Sequence, residues 1–244
     1  MALLIRAGYE DDARIGRGFR WLLSMRQADQ GWSIPILTRK LDRATLYRVT
    51  SRHAKPVEPD RSKPFSHHWT GMVLRAFAAH PKYRTTSAVR TAGELLKSRF
   101  FQPDSYGSYR AASYWIRFEY PFWWNNLVAA MDSLSCLGFS KDDPSMEEAL
   151  HWLRDHQEDC GLWKVSYVQS ARETAKTRAM QFWVTLAICR VWKRLLASGT
   201  DLMQRAGAVG DWRGLRLIDG VIDSFRPEET SRLPVPARGP GEIP

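Results

Sequence analysis

Asp132 is an acid set among apolar residues. At helical spacing, Trp124, Val128, Asp132 and Ser135 share one stripe, while Trp123, Leu127, Ala130, Leu134 and Leu137 form a second stripe suited to packing. A carboxyl group buried on such a helix holds its proton more tightly than one in water, which is what a proton donor requires. The other reading of Asp132 is a hydrogen bond to an arginine or a backbone group of a neighbouring helix. Trp115, Phe118, Trp123 and Trp124, with Tyr114, Tyr120 and Phe122, crowd the approach to this stripe. Aromatic faces offer apolar area and stabilise cations, so the cluster suits either a ligand wall or a core joining two helix pairs. His67 and His68 are adjacent at a helix entrance, where they hold a proton or a polar headgroup, or else cap and pack locally. Arg178 stands near one side of a long helix with Gln181, Thr185, Cys189 and Trp192; its planar fork suits a diphosphate, and a solvated arginine is the plainer reading.

Other chemistry finds little support. His151 and His156 are five apart, which spreads them around a helix instead of sharing a face as metal ligands do. Cys160 lies in a turn with no histidine partner visible in the sequence. No metal site and no cofactor are expected.

The elements that must position these residues are helices. Apolar residues recur at helical spacing in 12–28, 69–80, 84–101, 122–137, 144–157 and 173–196, and no alternating pattern competes with them. A weaker helix is expected over 212–225, and five prolines in 226–244 point to a disordered tail. The domain reading is a helical repeat domain over 1–197, a helical extension over 198–225 and the tail.

The helices repeat. Ile15 and Trp21 follow Glu10-Asp11-Asp12 as Met146 and Trp152 follow Asp142-Asp143, with six residues from apolar residue to Trp in both copies; Val89 and Leu95 keep that distance in a degenerate middle copy. The acidic pairs stand where a helix N-terminus needs a cap. Each outer copy closes alike: Trp21-Leu22, Gln27, Gly31-Trp32 and Trp152-Leu153, Gln157, Gly161-Leu162-Trp163. A glycine there can take the left-handed conformation, the Gln amide can satisfy backbone groups, and the Trp can pack over them.

This pattern resembles the QW repeat of squalene and other triterpene cyclases and the helical repeats of protein prenyltransferase β-subunits, over residues 1–197. The resemblance implies an all-α chain folded as an α/α toroid of stacked hairpins, here incomplete, whose inner helices line a central cavity. It supplies the ligand class, an isoprenoid or similar apolar molecule; the residues themselves supply the rest, with Trp115, Phe118, Trp123 and Trp124 as walls from the aromatic excess, His67 and His68 near a headgroup, Arg178 at the cavity mouth and, from its mid-helix position, Asp132 as the candidate acid. The cyclase D-x-D-D motif is absent, and so is the prenyltransferase zinc set: Asp159 and Cys160 are adjacent, and all six histidines precede them. Three function classes stay open: an isoprenoid-handling enzyme, a binding or scaffold protein on a decayed toroid, and a toroid enzyme of another chemistry.

Composition bounds the partners. The 244 residues carry a net charge of +10, which favours anions such as diphosphate or anionic lipid but does not choose among them. The densest basic run, from Arg39 to Lys63, lacks apolar periodicity and reads as a solvated loop, so no nucleic-acid partner is expected. The longest clean apolar stretch, Phe182 to Cys189, is too short to span a membrane. Three cysteines without framework spacing fit a reducing cytosol, in solution or in peripheral contact with a membrane. Residues 1–8 match only the last turns of a hairpin's first helix, which leaves an apolar edge beside 12–28 and leads to an expectation of self-association there.

Overall fold

The computed structural model describes residues 1–39, 41–51, 53–122, 124–166 and 174–197. The expected helix over 212–225 and the proline-rich tail lie outside them. Among the described residues the chain is all-α, with one isolated β-bridge between Gln157 and Trp163.

The chain opens with a short helical segment, α1 (Ala2–Leu4), continued by a π-helical turn, Ile5–Tyr9. Six longer helices follow within the six expected ranges or within two residues of them, several of them shorter than expected: α2 (Ala13–Ser24), α5 (His67–Ala79), α6 (Ser87–Lys97), α7 (Leu127–Cys136), α8 (Pro144–Asp155) and α9 (Ala175–Ala197). Two short helices are added: α3 (Pro35–Thr38) just before the basic run, and α4 (Arg43–Val49) inside that run, which the sequence suggests is all loop. Asp42 makes α4 possible by accepting the Thr45 N–H at 2.8 Å.

Caps set the starts. Asp12 Oδ1 accepts the Arg14 N–H at 2.8 Å, and Asp143 Oδ1 accepts those of Ser145 and Met146 at 3.1 and 3.4 Å. Both acidic pairs therefore cap, as their position suggested, and the hydrogen bonds from Arg14 draw Asp12 down to about 2. α7 begins at Leu127 and not at 122, because Asn126 is extended and its side chain accepts the Ala129 N–H at 3.0 Å. Residues 122 and 124–126 are consequently loop, and Trp124 is no part of the Asp132 stripe.

The two outer closing motifs share one geometry. Trp32 Nε1–H donates to Leu22 O and Trp163 Nε1–H to Leu153 O, each at 2.7 Å across ten residues. The Gln27 N–H donates to Gly31 O, and the Glu158 N–H to Leu162 O, each at 2.9 Å. The left-handed residue differs: Gly161 fills the role with φ +80° in the later copy, but in the first it is Gln30, also at +80°. Gly31 is required for another reason, since a Cβ there would lie 2.4 Å from Phe65 Cβ. Gln157 Nε2 donates within its own turn to Gly161 O at 2.8 Å, whereas Gln27 Nε2 reaches Asp60 O and Lys63 O at 2.8 and 3.0 Å.

α5, α7 and α9 form a row, α5 against α7 and α7 against α9; α6 nests on α5 and α7, and α8 on α7. Phe19 of α2 packs on Phe77 of α5 with ring centroids 4.6 Å apart. The core runs through this row: Leu74, Phe77, Leu127, Met131, Leu134, Val184, Ile188 and Val191 are fully buried. Approach is close where Asn125 meets α5, and a Cβ on Gly71 would fall 2.1 Å from Asn125 Cγ.

Candidate functional site

A cleft of about 590 Å³ opens between the N-terminal turn, α5, the 120–122 loop, α7 and α9. One side is apolar and aromatic: Tyr120, Phe122, Trp183 and Leu186 line it, and Tyr120 stacks on Trp183 with centroids 5.1 Å apart and planes 11° from parallel. Trp183 is 48% exposed, unusual for so large an apolar side chain on a helix in the row. The other side is ionic, with Arg6, Arg75, Asp132, Arg190 and Arg194 on its lining.

Helical geometry explains the lining. Trp183, Ala187, Arg190 and Arg194 follow one another at three- and four-residue steps along α9, so they share one face, and Ala129 and Asp132 do the same on α7. Asp132 Oδ1 accepts from Arg194 Nη2, and its Oδ2 lies 3.7 Å from Arg6 Nη2. Arg194 Nε donates in addition to Ser135 Oγ at 2.9 Å. Arg75 spends its fork on the loop, donating from Nη1 to Phe122 O at 2.8 Å and from Nη2 to Trp124 O at 3.2 Å. Burial pulls Arg75 below the ordinary arginine value, an effect that the nearby Asp132 charge opposes.

Asp132 thus lies in the cleft, but as the acceptor of a guanidinium hydrogen bond and beside a second guanidinium. This contact with an arginine of a neighbouring helix is the second of the two readings given to Asp132 from the sequence. Of the residues expected around it, most are elsewhere. Trp115 is 1% exposed, donates from Nε1 to Gln102 O at 2.9 Å, and stacks on His67 at 4.5 Å. Phe118 is equally buried and meets Trp152 edge to face at 5.8 Å. Both are core and neither lines the cleft. Trp124 stacks on Tyr109 at 5.0 Å, its carbonyl accepts from Arg75, and it is not on the cleft lining. Trp123 lies outside the described residues.

His67 and His68 belong to a buried polar knot at the start of α5. Asp104, with no side-chain exposure, accepts from Ser66 Oγ at 2.7 Å and from the His68 N–H at 2.9 Å, and its Oδ2 lies 3.5 Å from His67 Nδ1. Burial drives His67 down to about 4 against the pull of Asp104, and lowers His68 for the same reason. The local capping and packing reading therefore describes both. Arg178 lies with its guanidinium 5.4 Å from the Phe182 ring centroid and is not on the cleft lining, because the face of α9 turned to the cleft is the one carrying 183, 187, 190 and 194.

Sequence reasoning missed Arg6, Arg75, Arg190, Arg194 and Trp183. Two signals were there to be read. Arg75 is the one Lys, Arg, Asp or Glu in α5, and Arg190 and Arg194 stand four apart in line with Trp183. Among the described residues no group of three or more His, Cys, Asp or Glu side chains is placed to hold a metal ion, and no helix is long and apolar enough to cross a membrane. Compared with protein-family models, with curated proteins and with solved structures, the chain matches none.

Proposed function

We propose that this chain binds an isoprenoid or similarly long apolar molecule in the cleft between α5, α7 and α9, as a binding protein built on a terpenoid-cyclase-like α/α toroid. The observation that carries the ligand class is the Tyr120–Trp183 stack, an aromatic shelf half open to solvent beside Phe122 and Leu186. Flat aromatic area facing a concave site is what a chain of branched hydrocarbon packs against. What supports the toroid is the alternation of the α5, α7, α9 row with α6 and α8, together with the repeated Trp32 and Trp163 closures. As between an enzyme and a binding protein, the pairing of Asp132 with Arg194 favours binding, since the acid a cyclase would need is engaged as a counter-ion.

Calorimetric titration with geraniol and farnesol tests this reading. Binding of either alcohol, weakened by Trp183→Ala and unaffected by Trp115→Phe, is the expected result. No binding of either alcohol, or equal binding by Trp183→Ala, overturns the assignment of the shelf. Turnover of an isoprenoid substrate that Asp132→Asn abolishes would return the site to the enzyme reading.

A further inference from the structure

Among the described residues, the ionic side of the cleft carries more positive charge than its carboxylate can balance. Arg6, Arg75, Arg190 and Arg194 line it with Asp132, four guanidiniums to one carboxylate among those residues. They come from three stretches of chain far apart in sequence: the N-terminal turn, the middle of α5, and two successive turns of α9. Concentrating like charge beside an apolar wall raises its cost, because each guanidinium loses water and repels the others. The arginines nearest Asp132 answer that cost in a particular way. Asp132 accepts from Arg194 through Oδ1, and its Oδ2 stands 3.7 Å from Arg6, so its two oxygens are divided between two guanidiniums much as the oxygens of a bridging oxyanion are. The Asp132 side chain is 27% exposed and that of Arg6 57%, so this pairing faces the open cleft and solvent reaches it.

We infer that Asp132 is a built-in substitute for an anionic headgroup: it occupies Arg194 and Arg6 in the empty cleft and is exchanged for the oxygens of a phosphate or diphosphate ester when ligand enters. The charge count selects the ligand chemistry. A monoanionic carboxylate would leave the excess largely unmet, whereas a diphosphate brings two to three negative charges and enough oxygens to engage Arg194, Arg6 and Arg190 together. The headgroup would sit on the ionic side with its apolar tail on the Tyr120–Trp183 shelf. This rests on the apolar ligand reading above and adds to it the headgroup and the residue that sets its affinity. Asp132 then acts on binding with a sign opposite to that of a catalytic acid: removing its charge improves the site.

The test is calorimetric titration of the full chain with inorganic diphosphate, geranyl diphosphate and geraniol, on wild type, Asp132→Asn, Arg194→Gln and Arg6→Gln. Asp132→Asn should bind both diphosphates about tenfold more tightly than wild type, because the internal competitor has lost its charge. Arg194→Gln and Arg6→Gln should each weaken both diphosphates about tenfold and leave geraniol unchanged. Thermal melting of each variant shows whether the fold is retained. Should Asp132→Asn fail to fold, Asp132→Ser removes the same charge and is scored in its place. A lipid headgroup presents the same chemistry, so flotation with phosphatidylcholine vesicles, with and without phosphatidic acid, identifies the source. Binding that requires phosphatidic acid and strengthens in Asp132→Asn supports the exchange with a membrane lipid as ligand. Geraniol binding with no diphosphate binding, or Asp132→Asn binding diphosphate no better than wild type, overturns the inference while leaving the apolar shelf in place. Failure of all three probes and of the vesicles overturns both readings.

Discussion

His67 should make the fold sensitive to mild acid. Its imidazole is 5% exposed, lies against Trp115 at 4.5 Å and is held neutral by burial, with its value down at about 4 from the ordinary 6.5. In the unfolded chain the same group takes a proton near 6.5, so between pH 6.5 and 4 the unfolded state binds more protons than the native one and stability rises with pH. The contribution is complete above pH 6.5, is lost as pH falls through the window, and levels off below about 4. A difference of 2.5 in pKa corresponds to about 3 kcal/mol in full, of which about 2 kcal/mol is lost by pH 5. Urea unfolding of wild type and His67→Gln between pH 7.5 and 5 isolates the effect, because the other titrating groups largely cancel in the difference. The stability of wild type relative to His67→Gln should drop by about 2 kcal/mol over that range, a large part of a marginal fold's stability. A His67 ring that titrates near 6.5 in the folded protein by NMR, or a difference that stays flat with pH, would refute the reasoning.

Other consequences follow from single contacts. Gly71→Ala should destabilise by about 3 kcal/mol or prevent folding, since its Cβ would meet Asn125 Cγ at 2.1 Å, and thermal melting measures it. Trp163→Phe and Trp32→Phe each lose one 2.7 Å hydrogen bond to a backbone carbonyl and should each cost about 1 to 2 kcal/mol in urea unfolding; a large cost at one site and none at the other would break the equivalence of the two repeats. Self-association is proposed through the N-terminal elements, where Leu3, Leu4, Tyr9 and Trp21 are 81%, 53%, 54% and 49% exposed. Sedimentation should show a concentration-dependent oligomer that Trp21→Gln weakens, and a monomer at all concentrations would count against it.

The sequence by itself determined the six longer helices in outline, the Asp12 and Asp143 caps and the Trp closures, because each of these is decided within about ten residues. The 3.6-residue period of Ile15, Phe19 and Leu22 needs no partner to be seen, Asp12 and Asp143 cap the N–H groups just beyond them, and Trp32 and Trp163 reach back ten residues to the carbonyls of Leu22 and Leu153. Where local rules compete, the sequence was read less well: the apolar run through 122–137 looks like one helix until the Asn126 cap, itself local but masked by aromatic neighbours, sets the start at Leu127. The tertiary structure alone decided which aromatic side chains become core and which face the cleft. Trp115 and Trp183 are the same residue type, yet one is 1% and the other 48% exposed, because burial depends on what other elements bring against each. It also decided the charge of the site. Arg6, Arg75, Arg190 and Arg194 are spread over nearly the whole described chain and converge on Asp132 only when α5, α7 and α9 pack side by side, since electrostatic interaction depends on distance in space, which sequence separation does not record.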